Sequence, residues 1–525
     1  MTPRTTILAA LATALALAGA PRADPAGPVA TLVTPVRGDV EKLDAWLEEY
    51  GRGRAALAES TREIYLRLLG KVGKDAAGRG KDCVAARLIL LRAAGWQLTG
   101  MDASEVTRWI RERAQEELSD RLAPGRGKAI LDWVLYELLA FPDRHTPLLR
   151  AVALRALQGR LEAREVEPHL LVAIMSAGRD RDGFVRLTVS DILRGRPEPF
   201  VTDYFLGALE RREVSPEAFG AHLDALPDKD REAWLSTKGA RVHDYVRLRL
   251  ESKDWREASR ALALAPRFEP VRIVPQLITG LGVWSLRDTG GSRRIRSEYR
   301  RTLKKVTGRD YGEDPASWAR WWQSAVEGGS IPEPEVAAGG ERTMATFYGL
   351  RPQSDRVLFL IDRSGSMRER LEGQSTRFQD AIERLLYTLK DLGPETRFGV
   401  VLFNAKGHPF QSGLTVADED GLARLERWAE RIRPDGGTSL YAGLDASLPG
   451  LDDGTLIPEK IAYDTVVVLC DGETESSAWV APWLAQYNLD ARLVFHCVNI
   501  GGKPGGVLEA LAAGSGGSFV AVETD

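Results

Sequence analysis

Apolar residues recur at spacings of three and four through the first two-thirds of the chain, as in "LDAWLEEY" (Leu43–Tyr50) and "AILDWVLYELLAF" (Ala129–Phe141). That period is the helical one. Breaks rich in Gly and Pro, "LAPGRGK", "FPDRHTP" and "RGRPEP", interrupt it every few tens of residues. The pattern predicts an α-helical region over residues 38–328, with paired helices stacked in the manner of a solenoid. Residues 329–354, which include "GGSIPEPEVAAGG", carry little to bury and read as a linker. From residue 355 the pattern changes. Short, almost wholly apolar runs such as "RVLFLID", "RFGVVLFN", "DTVVVLCD" and "RLVFHCVNIG" alternate with amphipathic stretches. Strand–helix alternation with strands apolar on both faces predicts a doubly wound, mostly parallel α/β sheet over residues 355–525. The polar "HPFQSGLTV" (His408–Val416) reads as one short antiparallel edge strand.

Local signals refine the boundary between the two regions. Asp314 followed by Pro315 predicts a helix start with an aspartate cap. Trp318, Trp321 and Trp322 follow at helical spacing, a stripe expected in a core or a docking face. At the other end of the chain, Arg4 precedes an uninterrupted small and apolar run, Ile7–Ala20. Residues 1–23 therefore read as a secretory signal peptide, cleaved near Ala23 or Asp24, and the protein as exported to the periplasm or beyond the cell. No later stretch reaches about 18 uncharged apolar residues, so no stable membrane span is expected.

Composition removes several classes of function. The chain has 525 residues, 71 Lys+Arg and 74 Asp+Glu, for a formal charge of −3. That balance leaves no nucleic-acid footprint. Cys83, Cys470 and Cys497 are the only cysteines, too few for a disulfide scaffold. Cys470 and Cys497 fall in neighbouring strands, where they are either bridged or, as is commoner, two small buried apolar residues. The six histidines form no zinc-binding pair, and neither a Gly-x-Ser-x-Gly elbow nor a phosphate-binding Gly-Lys-Ser loop is present.

The chemistry concentrates at strand ends. Asp362 ends the first strand and Asp471 the fourth; with those strands adjacent, the carboxylates converge where the winding reverses, and close carboxylates repel unless a cation separates them. Ser364 and Ser366 add hydroxyls on the turn after Asp362. Thr438, in "RPDGGTSLYAGL", adds another and is expected to cap the next helix. Carboxylates and hydroxyls without His or Cys form a hard-oxygen set suited to Mg²⁺, with Mn²⁺ or Ca²⁺ as substitutes. Glu473 and Glu475 beside the site are expected to be solvated loop acids, and Arg363 and Arg368 exposed cations.

Taken in order, "DRSGSM", "GGTSLYAGL" and "LCDGE" resemble the von Willebrand factor type A domain and its metal-ion-dependent adhesion site (MIDAS). The resemblance covers about a third of the chain. It implies that Asp362, Ser364 and Ser366 bind the metal, that Thr438 is a conditional ligand, and that Asp471 acts directly or through water. It further implies that the metal's open position takes a carboxylate from a protein partner. In the helical region, "RDRDGFVRLTVSDILRG" (Arg179–Gly195) resembles the second helix of a HEAT repeat, leaving open a regular array or an irregular helical domain. The expectation is a non-catalytic binding protein whose helical region is a second interaction surface or spacer. The alternatives are a hydrolase or phosphatase using the same metal, a scaffold with an inactive site, and an accessory subunit of an ATP-driven remodeller.

Overall fold

The computed structural model describes residues 105–122, 146–161, 168–287, 292–328, 346–350, 352–370, 375–448, 456–471, 477–501 and 506–522, with shorter stretches between 69 and 139. The expected signal peptide, most of the expected linker, and Glu473 and Glu475 lie outside the described residues. By its internal contacts the chain divides into two compact units: Met1–Trp96 with Ser104–Arg164, and Gln97–Ala103 with Glu165–Asp525.

The first unit is helical where it is described. Helices α1 (Cys83–Gly95) and α2 (Glu105–Leu122) pack together, and α3 (Pro147–Ala156) packs on α1. Gln115 donates from Nε2 to the carbonyl of Ala94 (2.8 Å), tying α2 to the end of α1. Thr146 caps α3, with Pro147 at its first position.

The second unit begins with nine helices among the described residues: α4 (Pro168–Ala177), α5 (Gly183–Leu193), α6 (Pro199–Glu210), α7 (Pro216–Ala225), α8 (Asp228–Leu250), α9 (Trp255–Leu264), α10 (Pro270–Ser285), α11 (Ser292–Thr307) and α12 (Pro315–Glu327). Their starts follow the chemistry of capping. Asp182, Ser215, Asp254 and Asp314 each accept backbone N–H groups that a first turn leaves unpaired. The helices run from 10 to 23 residues, and several pack on close sequence neighbours, α8 on α9 and α10 on α11. Trp318 is fully buried, donates to the carbonyl of Gly312 (2.9 Å) and meets Tyr311 edge-on; Trp321 and Trp322 are half-buried.

A seven-stranded sheet follows in the same unit. Its strands are β1 (Arg356–Asp362), β2 (Arg397–Phe403), β3 (Gly407–Pro409), β4 (Thr415–Val416), β5 (Thr465–Cys470), β6 (Val494–Ile500) and β7 (Phe519–Val522). The order is β3-β2-β1-β5-β6-β7. β2, β1, β5, β6 and β7 are parallel. The expected single edge strand is two short pieces, β3 and β4, each pairing antiparallel with β2. Alternating residues feed two cores. Leu358, Leu360, Val466 and Val468 face one side; Val357, Phe359, Ile361 and Val467 face the other. Helices α13 (Arg377–Leu392) and α14 (Glu419–Ala429) cover the second face, while α15 (Leu440–Ser447) and α16 (Val507–Ser515) cover the first. Burial on both sides is why these strands read as unbroken apolar runs. Phe347 and Leu350, inside the stretch expected to be linker, pair with each other and bury in the second core.

The helices of this unit dock on the connection between β5 and β6. That connection is irregular: Val480–Trp483 is α-helical, Leu484–Asn488 is a π turn, and Leu489–Ala491 is α-helical again. Gly183, the first residue of α5, lies so close that an added Cβ would stand 2.4 Å from the backbone nitrogen of Gln486. Only glycine fits there. Arg186 donates to the carbonyl of Ala485 (3.2 Å), and Arg260 to that of Leu489 (3.0 Å). Arg492 holds a left-handed backbone (φ 54°) and makes a bidentate pair with Glu217 of α7 (2.8 and 3.1 Å). Deeper in, Arg294 of α11 donates to the carbonyl of Asp464 (2.6 Å) and pairs with Glu298 (2.7 Å), with both side chains largely buried.

Removing one partner of a desolvated pair strands the other charge, which costs about 3–5 kcal/mol. Arg294→Met is therefore expected to lower stability to urea by about 3 kcal/mol, and Gly183→Ala by about 1–3 kcal/mol through overpacking. Arg231→Ala, which breaks only the exposed pair with Asp228, should change it by under about 1 kcal/mol. Equal effects of Arg294→Met and Arg231→Ala would contradict a desolvated contact.

Candidate metal centre

β1 and β5 are adjacent and parallel, and the chain leaves β1 for β2 on one side before returning to β5 on the other. Their carboxyl ends are thus a switch point, where crossovers depart in opposite directions and leave a crevice. Asp362 ends β1 and is fully buried; Asp471 follows β5 and is 4% exposed. Ligand atoms of Asp362, Cys470 and Asp471 lie within 4.8 Å of one another.

The turn after β1 is shaped by Asp362 itself, whose Oδ1 accepts the backbone N–H of Ser364 (2.7 Å). This folds the chain back and brings the hydroxyls of Ser364 and Ser366 to 3.0 Å of each other. The next four residues, Gly365–Arg368, form one 3₁₀ turn. A second loop, Arg433–Ser439, is sewn to the first through the backbone: Gly365 N–H donates to Gly436 (2.9 Å), and Asp435 N–H to Arg363 (2.8 Å). Gly436 takes φ 77°, a left-handed conformation suited to glycine. The third loop contributes Asn404, whose Nδ2 donates to both the carbonyl and Oδ1 of Asp435 (3.0 Å each). Three loops from separate parts of the sequence are locked around Asp362 before any ligand arrives.

Thr438 sits on the second loop, two residues after Gly436, and is half-buried. It is not the cap expected from sequence. Ser439 caps α15, accepting the N–H of Ala442 (3.2 Å). The Thr438 hydroxyl makes no hydrogen bond within the described residues, so nothing local competes for it. Arg363 and Arg368, expected as free exposed cations, are structural here. Arg363 pairs with Asp435 (3.0 Å), and Arg368 donates from Nε to the carbonyl of Pro434. Cys470 and Cys497 are both buried and unbridged; in register Cys497 faces Val468, not Cys470.

Cys470 is the residue that sequence reasoning undervalued. The expectation is half of a bridge or a small buried apolar residue, yet its thiol donates to Oδ2 of Asp362 (3.1 Å). With Ser364 on Oδ1, both oxygens of Asp362 are oriented. Sequence shows only that Cys470 directly precedes Asp471; its place beside the end of β1 exists only in the fold, where Ile361 pairs with Leu469.

Electrostatics give the test of whether these residues fit a cation. Both oxygens of Asp471 are buried without a hydrogen-bond partner. Such a group is costly in an interior unless a proton or metal satisfies it. Burial, reinforced by the Asp471 charge, pushes the Asp362 carboxyl up to about 6. A cation between the two carboxylates would relieve both penalties. Asp362, Ser364, Ser366, Thr438 and Asp471 could supply hard oxygens to it, with Cys470 holding Asp362 in place.

The family model of the von Willebrand factor type A domain matches residues 357–473. Residues 357–473 form a von Willebrand factor type A domain. Among curated proteins, inter-alpha-trypsin inhibitor heavy chain 4 of Mus musculus is 31% identical over 127 residues, 24% of this chain and 13% of that protein. Inter-alpha-trypsin inhibitor heavy chain H2 of Mesocricetus auratus is 29% identical over 128 residues, with the same coverage. The chain spans only about an eighth of the length of these relatives. Among solved structures, BatB of Bacteroides thetaiotaomicron is 16% identical, with a TM-score of 0.25, covering 32% of this chain and 90% of that one. Proximal thread matrix protein 1 of the mussel byssus, with a zinc-occupied MIDAS motif, is 12% identical, with a TM-score of 0.22, covering 46% and 61%.

Two outcomes follow. A folded-state value near 6, above the ordinary carboxylate range, means that metal-free folded protein holds a proton between about pH 4 and 6 that the unfolded chain releases. The metal-free protein should lose stability as pH rises through that window. Metal affinity should gain up to about tenfold per pH unit up to 6 and level off above it, as read by calorimetric titration at stepped pH. Cys470→Ala, which removes the donor to Asp362, should weaken metal binding by about tenfold, while Cys470→Thr should preserve most of it. Unchanged affinity in Cys470→Ala would show that the thiol only fills space.

Proposed function

We propose that this is an exported, non-catalytic binding protein whose von Willebrand type A domain holds a Mg²⁺ ion, with Mn²⁺ or Ca²⁺ able to substitute, and uses it to bind an acidic group of a protein partner. The observation that carries the reading is the buried, unpartnered carboxylate of Asp471 beside the buried Asp362. In this reading Asp362, Ser364 and Ser366 hold the ion, Thr438 joins or leaves the shell as its glycine loop shifts, and Asp471 acts directly or through water. An ion held largely by neutral oxygens keeps positive charge at its open position, and a carboxylate from outside neutralises it. The helical region serves as a HEAT-like spacer or second interaction surface. Support for export is the apolar run Ile7–Ala20 after Arg4. Among the described residues no helix is long and apolar enough to cross a membrane.

The non-catalytic part of the reading rests on the site's composition, a cation site without an organised nucleophile and base among its assigned residues. Wild type should bind Mg²⁺ after chelation and retain an acidic partner from the exported fraction only while metal is present. Asp362→Ala should lose both. Metal saturation at 100 times Kd should stabilise wild type by about 2.7 kcal/mol and leave Asp362→Ala unmoved. Metal-dependent hydrolysis of ester or phosphoester substrates, abolished in Asp362→Ala, would replace this reading with the hydrolase alternative.

A further inference from the structure

A second candidate site lies away from the metal centre, in a cleft of about 600 Å³ where α5, α7, α9 and α11 face the β5–β6 connection and the end of α16. That volume is within the range of small-molecule sites. Its walls are mostly apolar: Leu187, Val214, Leu262 and Pro266 stand opposite Leu484 and Leu489.

The charges around these walls do not cancel. Five cations, Arg186, Arg294, Arg301, Lys305 and Arg492, line the cleft against three carboxylates, Glu213, Glu217 and Glu298. Every carboxylate is already engaged: Glu217 by Arg492, Glu298 by Arg294, and Glu213 by Arg211 outside the cleft (2.9 Å). Arg186 spends its donors on the backbone carbonyls of Asp180, Arg181 and Ala485, and the carboxylates of Asp182, Asp180 and Asp490 act on its charge from outside the cleft, so it is set aside from the surplus. Arg301 and Lys305, one turn apart on α11, make no ion pair within 4.0 Å among the described residues, although Arg301 acts at longer range on Glu298, which Arg294 already pairs. The cleft therefore combines an apolar floor with a surplus of positive charge, in a chain whose formal charge is −3.

We propose that this cleft binds an amphipathic organic anion, with its carboxylate or phosphate head on Arg301 and Lys305 and its apolar body along Leu187, Leu262 and Leu484. Charge-assisted hydrogen bonds to both cations fix the head. The apolar walls select against fully polar anions such as inorganic phosphate. Because one wall belongs to the helices and the other to the α/β sheet, a bound anion also braces their junction. The site is separate from the metal centre and does not rest on the function proposed above.

The test uses the full chain and eight-carbon probes. Octanoate and octyl phosphate are titrated by calorimetry, with octyltrimethylammonium and octyl glucoside as charge controls. One saturable site is expected for at least one of the two anions, with a rise in melting temperature; which anion binds tighter identifies the head group. The Arg301→Glu/Lys305→Glu double variant should weaken it by at least about tenfold. Ala263→Trp, which fills the cleft from a half-buried position, should abolish it. Asp362→Ala and chelation should leave it unchanged, which separates this result from any failure at the metal centre. No saturable binding to about 10 mM, equal binding of all four probes, or full affinity in both folded cleft variants would overturn the proposal.

Discussion

Two carboxylates buried side by side at the ends of adjacent parallel strands set the terms for the α/β part of this protein. Asp362 is sealed from solvent and Asp471 nearly so, and the oxygens of Asp471 have no internal partner. An interior tolerates this only with a proton or a cation present. The local architecture fits that constraint. Ser364 and Cys470 fix Asp362 from its two sides, while Gly365, Gly436 and Asn404 bind three loops into one frame. The frame is held largely by hydrogen bonds to the backbone.

The switch point exists because of the order in which strands are laid down. β1 goes to β2, and the return to β5 passes to the other side of β1. Apolar residues on alternate positions build a core on each face of the sheet, which leaves polar chemistry only at strand ends. Fold and site are one consequence of this pattern: the strands must be apolar to be buried, and they must stop being apolar where they reach solvent.

The docking of helices on the β5–β6 connection gives the second unit its other organising contact. It combines one steric requirement, the missing side chain of Gly183, with arginines that donate to backbone carbonyls or bury beside carboxylates. Carbonyls exposed by the π turn Leu484–Asn488 need donors, and Arg186 supplies one. The same junction leaves the charged, apolar-walled cleft, because irregular helices meeting an irregular connection do not close without a gap.

Where the candidate donors stand in the fold was legible from residue order alone. Asp362, Ser364, Ser366 and Asp471 stand at strand ends that apolar periodicity locates, and a strand buried on both faces has few other places for an aspartate. The cap at Asp314 was an equally local matter. The role of Cys470 was not legible, since a buried thiol resembles a small apolar residue until its neighbour across the sheet is known. Thr438 and Ser439 are adjacent hydroxyls, and only the three-dimensional path of the loop decides which one caps α15. Arg363 and Arg368 looked like free cations because their partners, Asp435 and Pro434, lie about 70 residues away in sequence. Sequence by itself determined what depends on period and nearest neighbours: the element types and the strand ends. Tertiary structure alone decided which donors point inward, which charges cancel, and that Gly183 must remain bare, because those outcomes depend on distances between residues that the chain brings together only when folded.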